Sequence, residues 1–304
     1  MKQFFENNAQ KEGNEGTSII IEDKKIPVEP EKLVSFSPFL SKARIAFVDS
    51  GIQEMSEGIF LLKCHAGIWE ENKKIKGLHA ELFFRAHDSE THLLKSGTTE
   101  NREFSEGLAK SLDKENILES IERNAIDFLI DHIGAGNLIV RDGSFDSPIF
   151  EQVIEKSRKG QVLLMALSKS SSIKTNFGEP AVNYLYNLSR KFKNQDECWY
   201  YRILETQRAN IAFVKLNSLS EFIFRLDIAG ISGIDMKHAI QIIASGAIDP
   251  VFIGYPYGLI DADQNARVTN EISEFYKMKL RLEFGLDIRM KNENAHSILD
   301  KIRF

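Results

Sequence analysis

The order of apolar segments along the first 170 residues constrains this fold more than any other feature. Strand-like runs occupy residues 44–49, 58–69, 79–87, 137–142 and 161–169. A segment at 116–133 with apolar residues at helical spacing separates the third run from the fourth. Three strands, a helix and a further strand predict an α/β protein whose mixed sheet is flanked by helices.

The second half of the chain predicts more strands and additional helical elements. Helical patterns cover 147–160, 179–192, 235–245 and about 261–280, and strand patterns cover 198–204, 211–216 and 221–228. Residues 1–43 begin as a polar stretch and continue as a segment interrupted by prolines, which we interpret as an N-terminal lead-in. Because no clear linker follows, we predict one domain over residues 44–304.

Composition excludes several classes of protein. The chain has 304 residues, 42% hydrophobic content and a net charge of -5, so it has no general electrostatic reason to bind nucleic acid, although a local basic groove can coexist with an acidic total. Its two cysteines suit a reducing cytoplasm. No apolar run approaches the ~20 residues of a membrane span. We therefore expect a cytoplasmic protein without membrane contact.

Two aspartates follow apolar runs in the same way. Asp49 precedes Ser50 and Gly51, and Asp142 precedes Gly143 and another serine. Ordinary turn chemistry explains each position taken alone, because Asp and Gly are common turn residues. The repetition of the device favours a shared role at the ends of two strands.

The predicted helix at 116–133 adds carboxylates of its own. Glu119 and Glu122 lie three residues apart and share part of one helix face. A solvated helix face explains both equally well. If one of them serves a site, we prefer Glu122, which lies nearer the middle of the helix.

The order of these elements resembles the ribonuclease H-like fold, in which carboxylates converge at one edge of a mixed sheet and hold divalent metal. Phosphodiester cleavage uses two ions about 3.5–4 Å apart, one for the attacking water and one for the leaving oxygen. Hard ions such as Mg²⁺ and Mn²⁺ prefer oxygen ligands. Asp49, Glu122 and Asp142 are therefore candidate ligands.

The stretch "IDPVFIGYPYGLIDADQNARVTN" at 248–270 is the most distinctive part of the sequence. Taken alone, Asp261 is a candidate helix N-cap. Taken with the other acidic residues, Asp261 or Asp263 can supply a fourth carboxylate to the same site.

Several motifs together resemble the NurA family of DNA-end-processing nucleases over about residues 44–270. In chain order they are "FVDSG", "ERNAIDFLID", "LIVRDGSF", "LLMALSKSSS", "AFVKL" and "GYPYGLIDADQNARVT". The resemblance implies a ribonuclease H-like fold and a DNA nuclease dependent on Mn²⁺ or Mg²⁺, with two ions. It further implies a homodimer working with HerA, a hexameric ring ATPase, in DNA repair or anti-phage defence.

The resemblance also assigns roles to residues. It puts metal ligands at Asp49, Glu122 and Asp142, and Asp263 or Asp261 stands where the family's motif has a histidine. We therefore take Asp49, Glu122, Asp142 and Asp263 as the catalytic set, with Asp261 as a further metal ligand. Lys169 becomes a phosphate contact, and Tyr255, Tyr257 and Arg267 become candidate DNA contacts near the site.

Two departures from the family pattern keep other functions open. The first motif runs Asp49-Ser50-Gly51 instead of Asp-Gly-Ser, and residues 248–270 lack the histidine that the family places near its metals. A catalytically weak scaffold that clamps DNA for a translocase is one alternative. A metal-dependent phosphohydrolase acting on a small molecule is another.

Overall fold

The computed structural model describes residues 16–21, 23–56, 59–87, 90–96, 102–109, 116–192, 197–229 and 235–284. The chain divides into two compact units. The first contains Met1–Phe47, Ile68–Ile75 and Ile133–Ile260, and the second contains Val48–Gly67, Lys76–His132 and Asp261–Phe304. Each described helix is too short or too polar to span a bilayer.

The strands are β1 Ser18–Ile21, β2 Lys24–Pro27, β3 Leu33–Phe36, β4 Ile45–Ser56, β5 Ile59–Glu70, β6 Lys73–His87, β7 Glu90–Ser96, β8 Leu138–Asp142, β9 Leu163–Ser168, β10 Lys174–Thr175, β11 Cys198–Glu205, β12 Asn210–Lys215 and β13 Phe224–Ala229. The α-helices are α1 Arg102–Leu108, α2 Ile117–Ile133, α3 Glu151–Gly160, α4 Ala181–Phe192, α5 Met236–Ala244, α6 Tyr257–Ala266 and α7 Asn270–Phe284. Short 3-10 helices lie at Pro30–Lys32 and Pro148–Phe150.

A mixed sheet forms the centre of the first unit, with the strand order β3-β11-β12-β13-β9-β8. β8 and β9 are parallel. The other pairs of the sheet are antiparallel, namely β9 with β13, β13 with β12, β12 with β11 and β11 with β3. Parallel neighbours need a crossover connection, and α3 supplies it between β8 and β9. Residues 138–141 are buried, which explains the apolar run at 138–140, and burial ends at Asp142, which is partly exposed.

One hydrophobic core of the first unit lies between this sheet and α4. Trp199, Tyr201 and Phe213 pack with Leu185 and Leu188 of the amphipathic helix. A small sheet with the order β10-β1-β2 adds Ile19 to the same core. The aromatic residues of β11 thus serve packing.

The second unit is built on β4, β5, β6 and β7, which are neighbours in that order. Met55 and Leu61 face α7, where Ile272 and Tyr276 pack against them. The hydroxyl of Ser273 donates to the sulfur of Met55. These contacts hold α7 on the side of the strands that carries Asp49, because residues 49 and 55 lie on one face of β4.

Most of the helices and strands predicted from the sequence are confirmed, and one predicted strand end is wrong. The helix predicted at 116–133 is Ile117–Ile133, and the strand predicted at 137–142 is Leu138–Asp142. The prediction that the first strand ends at Asp49 is wrong, because β4 continues through Ser50 and Gly51 to Ser56.

Other segments contain more structure than the sequence pattern indicates. The helical stretch expected at 261–280 is two helices, α6 and α7. The predicted lead-in contains β1, β2 and β3. The division into a lead-in at 1–43 and a domain at 44–304 stays a prediction, and residues 1–15 lie outside the described part of the chain.

Candidate functional site

Two carboxylates of the second unit lie close together. Asp49 is within β4, Asp263 is on α6, and both are half-buried, with carboxylate oxygens within 4.8 Å of one another. Ligand oxygens at 2.0–2.1 Å on opposite sides of a Mg²⁺ ion are about 4.2 Å apart. After small side-chain adjustments, this pair therefore has the donor type and spacing to bind one hard divalent ion.

Gly51 explains how α6 comes so near to Asp49. A Cβ atom at Gly51 would lie 2.4 Å from the carbonyl oxygen of Ala266, which is much closer than a methyl group tolerates. A glycine inside a strand often marks the close approach of another backbone. Gly51 thus makes a packing contact within β4, and Ser50-Gly51 does not form the predicted turn.

Glu122 lies on α2 and reaches β4 through Ser50. The Ser50 hydroxyl donates to Glu122 Oε1 at 2.6 Å, and the Ser50 N–H donates to Asp49 Oδ1 at 2.8 Å. Glu122 is 6% exposed. Among the described residues, Asp49 and Asp263 belong to a group of carboxylates whose oxygens lie within 4.8 Å of one another, and Glu122 is outside that group. Ser50 is therefore a linking residue that sequence reasoning missed.

Cys64 on β5 is fully buried near the same carboxylates. Burial raises the pKa of its thiol well above the ordinary value, and the negative charges of Glu122 and Asp49 raise it further. A thiol that stays protonated is a poor ligand and a poor nucleophile. Cys64 is thus a packing residue beside the carboxylates.

Asp261 lies inside α6 rather than at its start, so the N-cap interpretation is wrong. Its Oδ2 atom is 3.6 Å from Nε2 of His65, which is buried on β5. Asn265 donates to the Asp261 carbonyl at 2.7 Å. Asp261 is thus engaged by neighbours within the second unit, and its role as a metal ligand stays a prediction.

A polar cluster lies on the same face of β5 and β6. Glu81 is 3.9 Å from Lys63 and 3.4 Å from His79, and it accepts a short hydrogen bond from Tyr276. Burial raises the pKa of Glu81, but the hydrogen bonds from His79 and Tyr276 outweigh burial and hold it below 4.5. Burial and Glu81 together raise the pKa of the Tyr276 hydroxyl.

In the first unit, Asp142 ends β8 as predicted. Lys169 follows β9, and its Nζ atom is 2.6 Å from Asp142 Oδ2. The same ammonium lies 5.2 Å from the centre of the Tyr255 ring. Tyr255 is fully buried and stacks on Phe252, so its ring has no exposed surface and contacts only its neighbours, among them the Lys169 ammonium.

The residues after Asp142 form a loop, Gly143–Asp146, that is held by hydrogen bonds from several strands. Ser168 donates its hydroxyl to the Gly143 carbonyl at 2.7 Å. Gly143 has φ +111, a conformation that favours glycine. Arg141 donates to the Ser144 carbonyl and lies 4.3 Å from the centre of the Phe150 ring.

An ionic network reaches this loop from β13, in which Arg225 and Asp227 are buried and Asp146 is exposed. Arg225 donates to both oxygens of Asp227 at 2.8 and 3.0 Å and to both oxygens of Asp146 at 2.7 and 2.5 Å. Asp227 also accepts from the Phe145 N–H at 2.9 Å. Arg225 is 8% and Asp227 1% exposed. The network was not predicted from the sequence, although two charges at alternate positions of an apolar strand were its signal.

The pKa values of the two carboxyls in the network are shifted in opposite directions, because burial and Arg225 balance differently at each of them. Burial raises the pKa of Asp227, and Arg225 opposes this rise without overcoming it. Burial also acts to raise the pKa of Asp146, but the hydrogen bonds and charge of Arg225 outweigh it and lower the pKa. Asp146 is therefore ionised at neutral pH and pairs with the guanidinium.

The two remaining predicted DNA contacts lie on or just after α6. Tyr257 begins the helix, is 42% exposed and packs edge-on against Trp69. Arg267 donates to Asp263 Oδ2 at 2.6 Å while its side chain stays largely exposed. Both side chains are thus accessible from outside.

Comparison with known proteins identifies the fold. No protein-family model matches the chain. A search of curated proteins also gave no match. Among solved structures, the NurA nuclease from Sulfolobus solfataricus is similar, with a TM-score of 0.52 and 14% identity over 99% of this chain and 94% of that chain. A second NurA structure gives a TM-score of 0.51 and 9% identity over 93% of this chain and 96% of that one. The predicted fold class, a ribonuclease H-like mixed sheet flanked by helices, is confirmed, and the chain has a NurA-like fold.

Proposed function

We propose that this protein is a divalent-metal-dependent DNA nuclease that processes DNA ends. The observation that carries the proposal is the pair Asp49 and Asp263, whose carboxylate oxygens lie within 4.8 Å of one another on two elements that meet at a glycine contact. Carboxylates held by rigid elements suit metal-assisted phosphodiester cleavage. The NurA-like fold supports the same activity by analogy.

In this proposal Asp49, Glu122, Asp142 and Asp263 act in one catalytic site. Asp49, Asp142 and Asp263 offer oxygen ligands to Mn²⁺ or Mg²⁺, and Asp261 is a further candidate ligand. Glu122 ligates an ion or orients Asp49 through the Ser50 hydrogen bonds. When bound, a pair of ions supplies an activated water and stabilises the leaving oxygen.

The proposed DNA contacts are cationic or aromatic. Lys169 binds a phosphate while its partner Asp142 keeps it near the site. Arg267 is paired with Asp263 and has exposed surface for a second phosphate. Tyr257 offers an exposed ring on which a base can stack. Tyr255 acts through Lys169, because its own ring is buried.

The partners follow from the resemblance to the NurA family. We propose a homodimer that works with a HerA-like hexameric ATPase in DNA repair or anti-phage defence. Co-purification with such an ATPase, and a mass measurement of the complex, test this part independently of the nuclease activity.

The decisive experiment incubates the purified protein with end-labelled linear DNA in Mn²⁺, Mg²⁺ or EDTA. Asp49→Asn, Asp142→Asn and Asp263→Asn variants are compared with Asp23→Asn, a matched control at an exposed turn residue with φ 60, where asparagine is well tolerated. We expect degradation that requires metal, disappears in the three site variants and persists in the control.

Other outcomes separate the alternatives. DNA that is bound but not cleaved in either metal, with or without the ATPase, identifies the scaffold function instead. Turnover of small phosphodiesters with no salt-sensitive binding of long DNA identifies the phosphohydrolase. Cleavage that survives in all three variants rejects the site.

A further inference from the structure

We propose that Arg225 is a positioning residue for the nuclease site. Through the loop Gly143–Asp146, Arg225 holds Asp142 in the orientation that catalysis needs. This inference rests on the proposed function, because it assigns Asp142 a catalytic task. It adds Arg225 and its partners Asp146 and Asp227 to the set of residues on which activity depends.

The guanidinium of Arg225 binds two carboxylates at once. It makes two hydrogen bonds to Asp227 and two to Asp146, at 2.5–3.0 Å. Asp227 lies on the same strand two residues away, whereas Asp146 lies 79 residues earlier in the chain. The N–H groups of a planar guanidinium point in fixed directions. The bidentate bond to Asp146 therefore fixes the orientation of the loop as well as its distance from β13.

The loop between Asp142 and Asp146 is held by hydrogen bonds at most of its residues. Phe145 donates its N–H to Asp227 at 2.9 Å, and Gly143 donates its N–H to the Leu167 carbonyl at 3.1 Å. Arg208 donates to the Asp146 carbonyl at 2.8 Å. Anchors at Gly143, Phe145 and Asp146 thus fix the peptide that follows Asp142 directly.

The buried pair Arg225 and Asp227 is not explained by its contribution to stability. Replacing a buried ion pair by apolar side chains of similar volume is often neutral or stabilising. Stability alone therefore gives no reason to place Arg225 and Asp227, at 8% and 1% exposure, inside a strand that is otherwise apolar. Arg225 and Asp227 each also bond to the loop that follows Asp142, so orientation of this loop accounts for their placement.

Positioning and simple structural support make different kinetic predictions. A misplaced carboxylate lowers the rate of the chemical step, and an error of about 1 Å can cost about 100-fold. It should leave DNA affinity nearly unchanged, because the arginine is buried and its guanidinium is bound by two carboxylates. It also raises the metal concentration that gives half-maximal activity.

The experiment compares Arg225→Met, Arg225→Lys and Asp146→Asn with Arg202→Met, which removes an exposed arginine paired with Glu205 on β11. We expect kcat to fall about 10- to 100-fold in Arg225→Met, with KM for DNA within about twofold and a raised metal requirement. Arg225→Lys and Asp146→Asn should be intermediate, and Arg202→Met should match the parent protein. If Arg225→Met does not fold, the other two variants carry the test.

A second readout keeps this inference separate from the proposed function. Hydrogen exchange at the amides of Gly143 and Phe145 reports the loop directly, and calorimetric titration of Mn²⁺ reports the ligands without any turnover. We expect faster exchange and weaker Mn²⁺ binding in Arg225→Met even if the parent protein cleaves no DNA. Unchanged exchange, or faster exchange with unchanged kcat and Mn²⁺ affinity, would overturn the inference.

Discussion

The two units of this protein hold their carboxylates by different physical means. In the second unit Asp49 and Asp263 are brought together by a backbone contact, because Gly51 lets α6 approach β4 without room for a Cβ atom. In the first unit Asp142 is followed by a loop that is held by a buried arginine and two aspartates. One arrangement depends on shape and the other on charge.

The difference predicts how each region fails. A steric contact between backbones is lost when a single methyl group is added, and neither salt nor pH restores it. An ionic network loses its strength gradually as partners are exchanged or protonated. Substitutions in the second unit should therefore act abruptly, and those in the first unit should act by degrees.

The largest expected effect separates the two aspartates of α6. We expect Asp263→Asn to lower the nuclease rate at least about 100-fold, because it removes the carboxylate beside Asp49, as loss of a preorganised charged group typically does. Asp261→Asn should lower it less than about tenfold, since Asp261 is engaged by His65. Rates on end-labelled DNA in Mn²⁺ test this ranking, and equal losses would place both aspartates on the ion.

Gly51→Ala tests the steric contact itself. The added methyl group meets the Ala266 carbonyl oxygen at 2.4 Å, so α6 must shift, and overpacking of this kind costs about 1–3 kcal/mol. We expect a lower melting temperature and an activity loss of about tenfold or more, on the scale of misplaced catalytic groups. Gly16→Ala is the matched control, because nothing lies within 4 Å of the position that its added methyl group would take. Wild-type activity in Gly51→Ala would show that the contact does not position Asp263.

A smaller effect is expected at Lys169, the cation beside Asp142. Lys169→Met should weaken DNA binding by about 1 kcal/mol or slightly more and reduce the salt dependence of binding by about one phosphate contact. Lys169→Arg should retain most of the binding. Fluorescence anisotropy at several salt concentrations measures both quantities, and an unchanged salt slope would exclude a phosphate contact.

The smallest effect on activity, but a clear one on stability, is expected from Glu81. Its pKa is lowered in the folded protein, so its stabilising contribution is present above pH 4.5 and is lost as the pH falls below 4.5. We expect Glu81→Gln to be less stable than the parent near neutral pH and to show a flatter decline below pH 4.5. Melting curves from acidic to neutral pH measure this, and parallel declines would contradict it.

The sequence could predict those parts of the fold that depend on local periodicity. The helix at Ile117–Ile133 and the strand Leu138–Asp142 have patterns that directly reflect their burial. The predicted end of the strand at Asp142 is confirmed because burial itself ends there.

The errors lie where a residue serves a distant neighbour. Ser50 and Gly51 have the composition of a turn, yet the strand continues, because Ser50 bonds to Glu122 and Gly51 packs against Ala266. The pairing of Arg225 with Asp146 is also beyond sequence reasoning, since Asp146 lies 79 residues away. Periodicity reports which face of an element is buried, but it does not report which charge meets which.

The central claim is that Asp49 and Asp263 hold a divalent ion together. Calorimetric titration of Mn²⁺ into the parent protein, Asp49→Asn, Asp263→Asn and the double variant tests it most directly. The account predicts clear binding in the parent, strong loss in each single variant and almost no further loss in the double variant. Independent, additive losses, or Mn²⁺ binding that survives in the double variant, would contradict it.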